Sequence, residues 1–242
     1  MLELLAPAGN MEKLKTAFNY GADACYMAGK KFGLRAFSGN FEQDELKEAV
    51  DYAHALGKKI YITVNIVAHN EDFNGLEEYL IYLKDINVDA IIVSDVGIIN
   101  VARRVVPELD IHVSTQANIT NKYTARFFVE LGVKRLILAR ELSIKEIKEI
   151  REFIPNEIEI ETFVHGAMCI SYSGRCLLSS QYFPISAFLP GFFCSISKFL
   201  ASHSFPRPSP LLKMIKNIQR LLRLSGAAVP FLGGKYEMSE EI

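Results

Sequence analysis

NVDAIIVSD, residues 87–95, holds four consecutive apolar residues, Ala90 to Val93, between a polar lead-in and a closing Ser-Asp pair. A short unbroken apolar run suits a strand buried on both faces, as a parallel sheet makes, better than a strand with one wet face. The same lead-in recurs in GADACYM (21–27) and GVKRLIL (132–138), where a small or polar residue turns a helix into the next strand. Working outward gives seven candidate strands: ELLAPA (3–8), ACYMA (24–28), KIYITVN (59–65), AIIVSD (90–95), DIHVSTQ (110–116), RLILAR (135–140) and EIETFVH (159–165).

Amphipathic stretches separate them. Asn10 is placed to cap a helix carrying Leu14, Ala17 and Phe18 on one face. Residues 43–56 put Leu46, Ala49, Val50, Ala53 and Leu56 at helical spacing. Ser143-x-x-Glu146 is a capping box ahead of Ile144, Ile147, Ile150 and Ile154. Seven βα repeats without a hairpin signal predict an α/β fold, a TIM-type (β/α) barrel with an irregular C-terminal tail. A doubly wound sheet is the structural alternative, but no glycine-rich βα turn of the dinucleotide type occurs. Barrel chemistry sits at the C-terminal ends of strands, which singles out Asn65, Asp95, Gln116, Arg140, Glu141 and His165.

Length and charge bound the reading further. At 242 residues, half of them hydrophobic, with a formal charge of -1, the chain suits one large domain of barrel size. The start, MLELLAPAGN, has an acidic residue and no basic n-region, so no signal peptide is expected. Four cysteines do not make a disulfide scaffold, and a reducing cytoplasm is the expected location. Residues 181–235 carry seven Lys and Arg and no acidic residue, a composition break that places a boundary near residue 180. Two units follow: a barrel domain over 1–180 and a divergent basic tail over 181–242.

The tail is rich in Phe, Ser and Pro, with no sustained period and no eighth βα unit in its pattern. Its apolar stretch is about a membrane span long, but Pro184, Pro190 and Lys198 make it a poor transmembrane helix, and no membrane partner is expected. LLKMIKNIQRLLRL (211–224) has the pattern of a basic amphipathic helix. With only seven units, strand one is expected to lack its closing neighbour and to expose an edge.

Common catalytic motifs are missing: HExxH, GxSxG, the P-loop and GxGxxG are all absent. The five histidines are scattered, and His54 and His112 read as ordinary surface or core side chains. Cys25 reads as a small core residue within the second strand. Cys169 and Cys176 differ, because they lie just past a strand end, with Gly166 and Gly174 nearby. Thiolates suit iron–sulfur clusters or zinc, which need about four ligands. Two plain buried or free thiols are the alternative reading.

The run Glu161-x-Phe163-x-x-Gly166-Ala167-Met168-Cys169, four residues, then Gly174-x-Cys176-x-Leu178-Ser179, resembles the signature of peptidase family U32, the collagenase-like peptidases. LLAPAGN, GADACYMAGKKFGLRAFSGNF, VNIVAHN and STQANITN agree with it, so the resemblance spans roughly residues 1–180. It implies an enzyme of one of two kinds. Several members are similar to hydroxylases acting on a tRNA wobble uridine with prephenate, on a ribosomal RNA cytidine, or on a ubiquinone precursor without oxygen. Four cysteines hold a four-iron iron–sulfur cluster in those relatives. By resemblance Cys169 and Cys176 are two of the ligands, with Cys194 a weak third. His165, Gln116, Asn65 and Glu161 are the catalytic candidates. Arg140 and Glu141 are the substrate-binding candidates, Arg140 because a guanidinium holds a carboxylate in a fork. The expected partners are RNA, foremost tRNA, and a partner subunit of the same family.

The alternatives are a collagenase-like endopeptidase, as the family name implies, and an inactive barrel remnant. The family's further Cys-x-x-Pro-Cys pair is not found after Ser180. The tail is accordingly read as a truncated, frameshifted or divergent end, against a genuine C-terminal domain.

Overall fold

The computed structural model of the chain describes residues 2–33, 40–165, 171–175 and, as backbone, 227–228. Seven strands alternate with six helices: β1 (Leu5–Pro7), α1 (Met11–Asn19), β2 (Ala24–Met27), α2 (Gln43–Ala55), β3 (Lys59–Val64), α3 (Leu76–Asp85), β4 (Ala90–Val93), α4 (Val96–Val105), β5 (Asp110–Val113), α5 (Lys122–Glu130), β6 (Arg135–Ile137), α6 (Ile144–Phe153) and β7 (Glu159–Glu161). Every neighbouring pair is parallel and sequential, from Leu5 opposite Ala24 to Ile137 opposite Glu161. This is the expected α/β architecture, a curled parallel sheet of TIM-barrel type with helices on its outer face.

The tail departs from expectation in one respect. Its composition predicts no eighth unit, yet Ala227–Ala228 forms β8, parallel to β7 through Ile160 and Glu161. This backbone pairing covers part of the β7 edge. β1 lies at the other end of the sheet order, paired with β2 among the described residues. Cys169, Cys176, Cys194 and the amphipathic stretch 211–224 lie outside the described residues.

Alternation along the strands builds two buried clusters. Ile60, Ile62, Val64, Ile91, Val93, Ile111, Val113, Leu136 and Ile160 face outward into the helix layer, against Leu14, Leu46, Val50, Leu80, Leu83, Ile98 and Ile99. The other face points into the curl, where Leu5, Ala24, Tyr61, Ala90, Ile92 and Ile137 form a smaller cluster. Burying both faces is what requires the nearly continuous apolar strands.

Local signals fix the helix starts. Asn10 accepts a hydrogen bond from the Lys13 N–H at 2.9 Å and caps α1. Ser143 and Glu146 close the capping box of α6, the Glu146 carboxylate accepting from the Ser143 N–H at 2.8 Å. The strands end earlier than their apolar content predicts. Asp95 is not part of β4 but the N-cap of α4, accepting from the Ile98 N–H at 3.0 Å. Likewise β5 stops at Val113, because Ser114 turns the chain into a 3-10 turn over Thr115–Ala117. Among the described residues no helix is long and apolar enough to cross a membrane.

Candidate functional site

The loop after β7 does not stay above β7. Residues Ser171–Arg175 reach back across the end of β6 to the turn that follows β5, so three βα connections meet at the C-terminal mouth. The Arg175 N–H donates to the Tyr172 carbonyl at 2.9 Å, which closes a β-turn with Gly174 at its third position. Gly174 has φ +70°, and a Cβ there would sit 2.2 Å from the Gln116 carbonyl oxygen. Position 174 must therefore be glycine for two reasons, its left-handed backbone and its contact with the β5 turn.

Arg140 and Glu141 bind this turn from the β6 side. The Arg140 Nη2 donates to the Ser171 carbonyl at 3.1 Å, and its Nε donates to the Ser173 hydroxyl at 3.3 Å. The Glu141 carboxylate accepts from the Ser173 N–H at 2.8 Å. Slight burial pushes the Glu141 carboxyl up, but the Ser173 hydrogen bonds and the Arg140 charge outweigh it and hold the pKa below the ordinary 4.5. Near the turn, the amide oxygens Gln116 Oε1 and Asn118 Oδ1 are buried without a hydrogen-bond partner among the described residues.

Gln116, Arg140 and Glu141 are thus brought together, around a turn that lies between positions 169 and 176. Asn65 is tied to the next strand, its carbonyl accepting from the Ser94 hydroxyl at 3.3 Å. His165 is exposed beyond the end of β7. Among the described residues no three His, Cys, Asp or Glu side chains gather to hold a metal. Cys25 is fully buried in β2, its thiol pushed up to about 12 by burial, as fits a core residue.

Glu161 lies elsewhere, inside the curl. Its carboxylate accepts from the Arg135 guanidinium at 3.3 Å, and the same guanidinium binds Glu3 at 2.6 Å and Glu159 at 2.7 Å. Tyr61 packs its ring under Arg135 at 5.1 Å and donates its hydroxyl to Glu3 at 2.9 Å. One cation thus serves three carboxylates in a region of low dielectric. Burial pushes Glu161 up to about 7 despite Arg135 beside it, with the negative charges of Glu3 and Glu159 adding to the rise. Burial works against the Arg135 charge, but its bonds to Glu3 and the surrounding carboxylates raise its pKa overall. His112 stacks edge-on to Tyr61 at 4.6 Å, and burial with the charges of Arg135, Lys59 and Lys134 holds it well below 6.5, so it is neutral. Polar networks at the N-terminal end of a barrel serve stability. Sequence reading singled out Glu161 but not Glu3, Tyr61, Arg135 or Glu159. Tyr61, Arg135 and Glu159 alternate with the outward-facing Ile60, Ile62, Leu136 and Ile160, which is the signal a sequence reading could have used.

A curled parallel sheet with its polar loops converging above β5, β6 and β7 defines a protein of the (β/α)-barrel fold class. The sequence model of peptidase family U32 matches residues 9–187, and the chain belongs to that family. It is 53% identical to tRNA hydroxylation protein P1 of Bacillus subtilis over 179 residues, 74% of this chain and 42% of that protein. It is 45% identical over 186 residues to the uncharacterized protease MJ0090 of Methanocaldococcus jannaschii, covering 76% of this chain and 45% of that one. With the Escherichia coli 23S rRNA 5-hydroxycytidine C2501 synthase the identity is 36%, over 74% of this chain and 26% of the synthase. The chain spans less than half the length of these relatives. Among solved structures, the U32 peptidase Mk0906 superposes with a TM-score of 0.61 at 20% identity, covering 74% of this chain and 73% of that one. That likeness bears on the fold alone.

Proposed function

We propose that this chain is the barrel portion of an RNA-hydroxylating U32 protein, acting in the cytoplasm on tRNA, with the wobble uridine as its base and prephenate as its co-substrate. The observation that carries the reading is the 53% identity, over 179 residues, to a protein named for tRNA hydroxylation. A second member of the similarity set is named for hydroxylating a ribosomal RNA cytidine, so RNA hydroxylation recurs across the likeness.

Cys169 and Cys176 are assigned as two ligands of an iron–sulfur cluster. The donor chemistry fits, since two soft thiolates flank a turn that reverses the chain at the mouth. The remaining ligands are not assigned among the described residues. A bound cluster supplies electron transfer. The chain's own side chains would bind and orient: the half-buried Gln116 and Asn118 carry amide groups of the kind that read base edges in pairs of hydrogen bonds. His165, exposed beside the motif, would move a proton at its imidazole nitrogen.

An endopeptidase needs a nucleophile and a base within hydrogen-bond reach. The His54 imidazole is engaged with Asp89 at 3.0 Å, the backbone N–H of His69 donates to Asp72 at 2.8 Å, and His112 lies inside the curl; no nucleophile is shown beside any of them among the described residues. Incubation of the anaerobically reconstituted chain with unmodified tRNA and prephenate, followed by nucleoside mass spectrometry, tests the reading. The expected product is a uridine carrying one added oxygen, lost in Cys169→Ser. Gelatin cleavage without any hydroxylated nucleoside would overturn it in favour of the protease reading.

A further inference from the structure

We propose that Phe163 is the side chain on which the target base stacks, and that the base lies over an uncharged floor formed by Thr63, Ser94, Ser114 and Ala139. The proposal deepens the RNA reading above and rests on it, naming the residues that receive the base.

Strand alternation places these side chains. Each is next in sequence to a residue packed in the helix-facing core: Val64, Val93, Val113, Leu138 and Val164. Successive residues of a strand point to opposite faces, so the Phe163 ring and the floor residues turn into the curl. They lie two residues beyond the inward Tyr61, Ile92, His112, Ile137 and Glu161, roughly 7 Å nearer the C-terminal mouth.

The curl is thereby divided into three levels. Charge is confined to the N-terminal end, where Arg135 gathers Glu3, Glu159 and Glu161. Leu5, Ala24, Tyr61, Ala90, Ile92 and Ile137 close the middle. The inward positions above them carry hydroxyls, a methyl group and a phenyl ring, with no charged side chain among the described residues.

Such a floor suits a flat, polar ring without charge. A nucleobase is neutral at ordinary pH, whereas a carboxylate or phosphate placed there would be desolvated without a paired cation. The hydroxyls keep capacity for a base edge. Thr63 donates to the Met27 carbonyl at 3.4 Å and Ser94 to the Asn65 carbonyl at 3.3 Å, which leaves both oxygens as acceptors. Ser114 accepts from the Gln116 N–H at 3.3 Å, which leaves its O–H as a donor. Phe163 is 39% exposed although it turns inward, so its ring borders the open mouth rather than the core. Thr162 is buried and Val164 packs against the core, so that ring is carried on a fixed backbone. An enzyme acting on a base takes it out of its stack and replaces the lost stacking with an aromatic side chain.

Binding of the full chain to an anticodon stem–loop RNA tests the assignment, with either uridine or an abasic nucleotide at the wobble position. The parent should prefer the uridine loop roughly five- to a hundredfold, the worth of one base stacked on an aromatic side chain. Phe163→Leu should remove most of that preference and bind the abasic loop as the parent does. Phe163→Tyr, which keeps a π face, should keep the preference. A 5-iodouridine at the same position gives a second reading on the unaltered chain: irradiation should join it to Phe163, located by mass spectrometry of the digested adduct. Equal affinity of the parent for the two loops, or a cross-link mapped elsewhere, would overturn the stacking role and leave RNA binding intact. A preference retained in Phe163→Leu would do the same. Failure of the parent to bind either loop would overturn the RNA reading, and the proposal with it.

Discussion

Replacing Glu161 by Gln should flatten the pH dependence of stability. In the folded chain the carboxyl is pushed from 4.5 to about 7 by burial, with Arg135 3.3 Å away and too heavily shared to reverse the shift. A carboxyl whose folded pKa is raised binds its proton more tightly in the native than in the unfolded state. Its contribution is therefore fully present below pH 4.5 and is lost as pH rises through about 7. At about 1.4 kcal/mol per pKa unit, the gap between 4.5 and 7 is worth up to about 3 kcal/mol. Gln keeps the shape and an oxygen for the Arg135 guanidinium but cannot titrate. Urea unfolding at pH 5, 6, 7 and 8 should show the parent losing stability toward pH 8, while Glu161→Gln loses less. Parallel curves for the two proteins would refute the claim that this carboxyl carries a proton inside the curl near neutral pH.

Arg135→Met should be more damaging, because it leaves Glu3, Glu159 and Glu161 around a site with no guanidinium; breaking a buried pair in this way costs about 3–5 kcal/mol. Denaturant midpoints measure it, and a loss below about 1 kcal/mol would mean that water reaches the carboxylates freely. Ser143→Ala should cost about 1 kcal/mol through the α6 capping box, read as a lower melting temperature. Leu46→Ala, at a fully buried position where α2 meets the sheet, should cost about 2–5 kcal/mol by leaving a cavity, and an unchanged midpoint would contradict its placement in the core.

The sequence alone determined the order and type of β1 to β7, but not the pairing of β8. All seven strands fall inside runs that their apolar content marks, and Asn10, Ser143 and Glu146 cap helices as their spacing requires. Those signals are local, since strand hydrophobicity and cap chemistry act within a few residues. Strand ends were less legible. Asp95 continues an apolar run in sequence, yet it terminates one in space by capping the next helix.

Only the tertiary structure decided which residues share a site. Arg140 and Glu141 look in sequence like mouth residues open to a substrate, but 31 and 32 positions separate them from the turn residues they hold. Glu161 lies in the same signature as Cys169, yet the strand alternation turns it into the curl toward Arg135 and away from the mouth. The physical reason is the same in both cases. Apolar burial is specified residue by residue, whereas a polar side chain takes whatever partner the closed sheet brings within about 3 Å, and that partner can come from any strand.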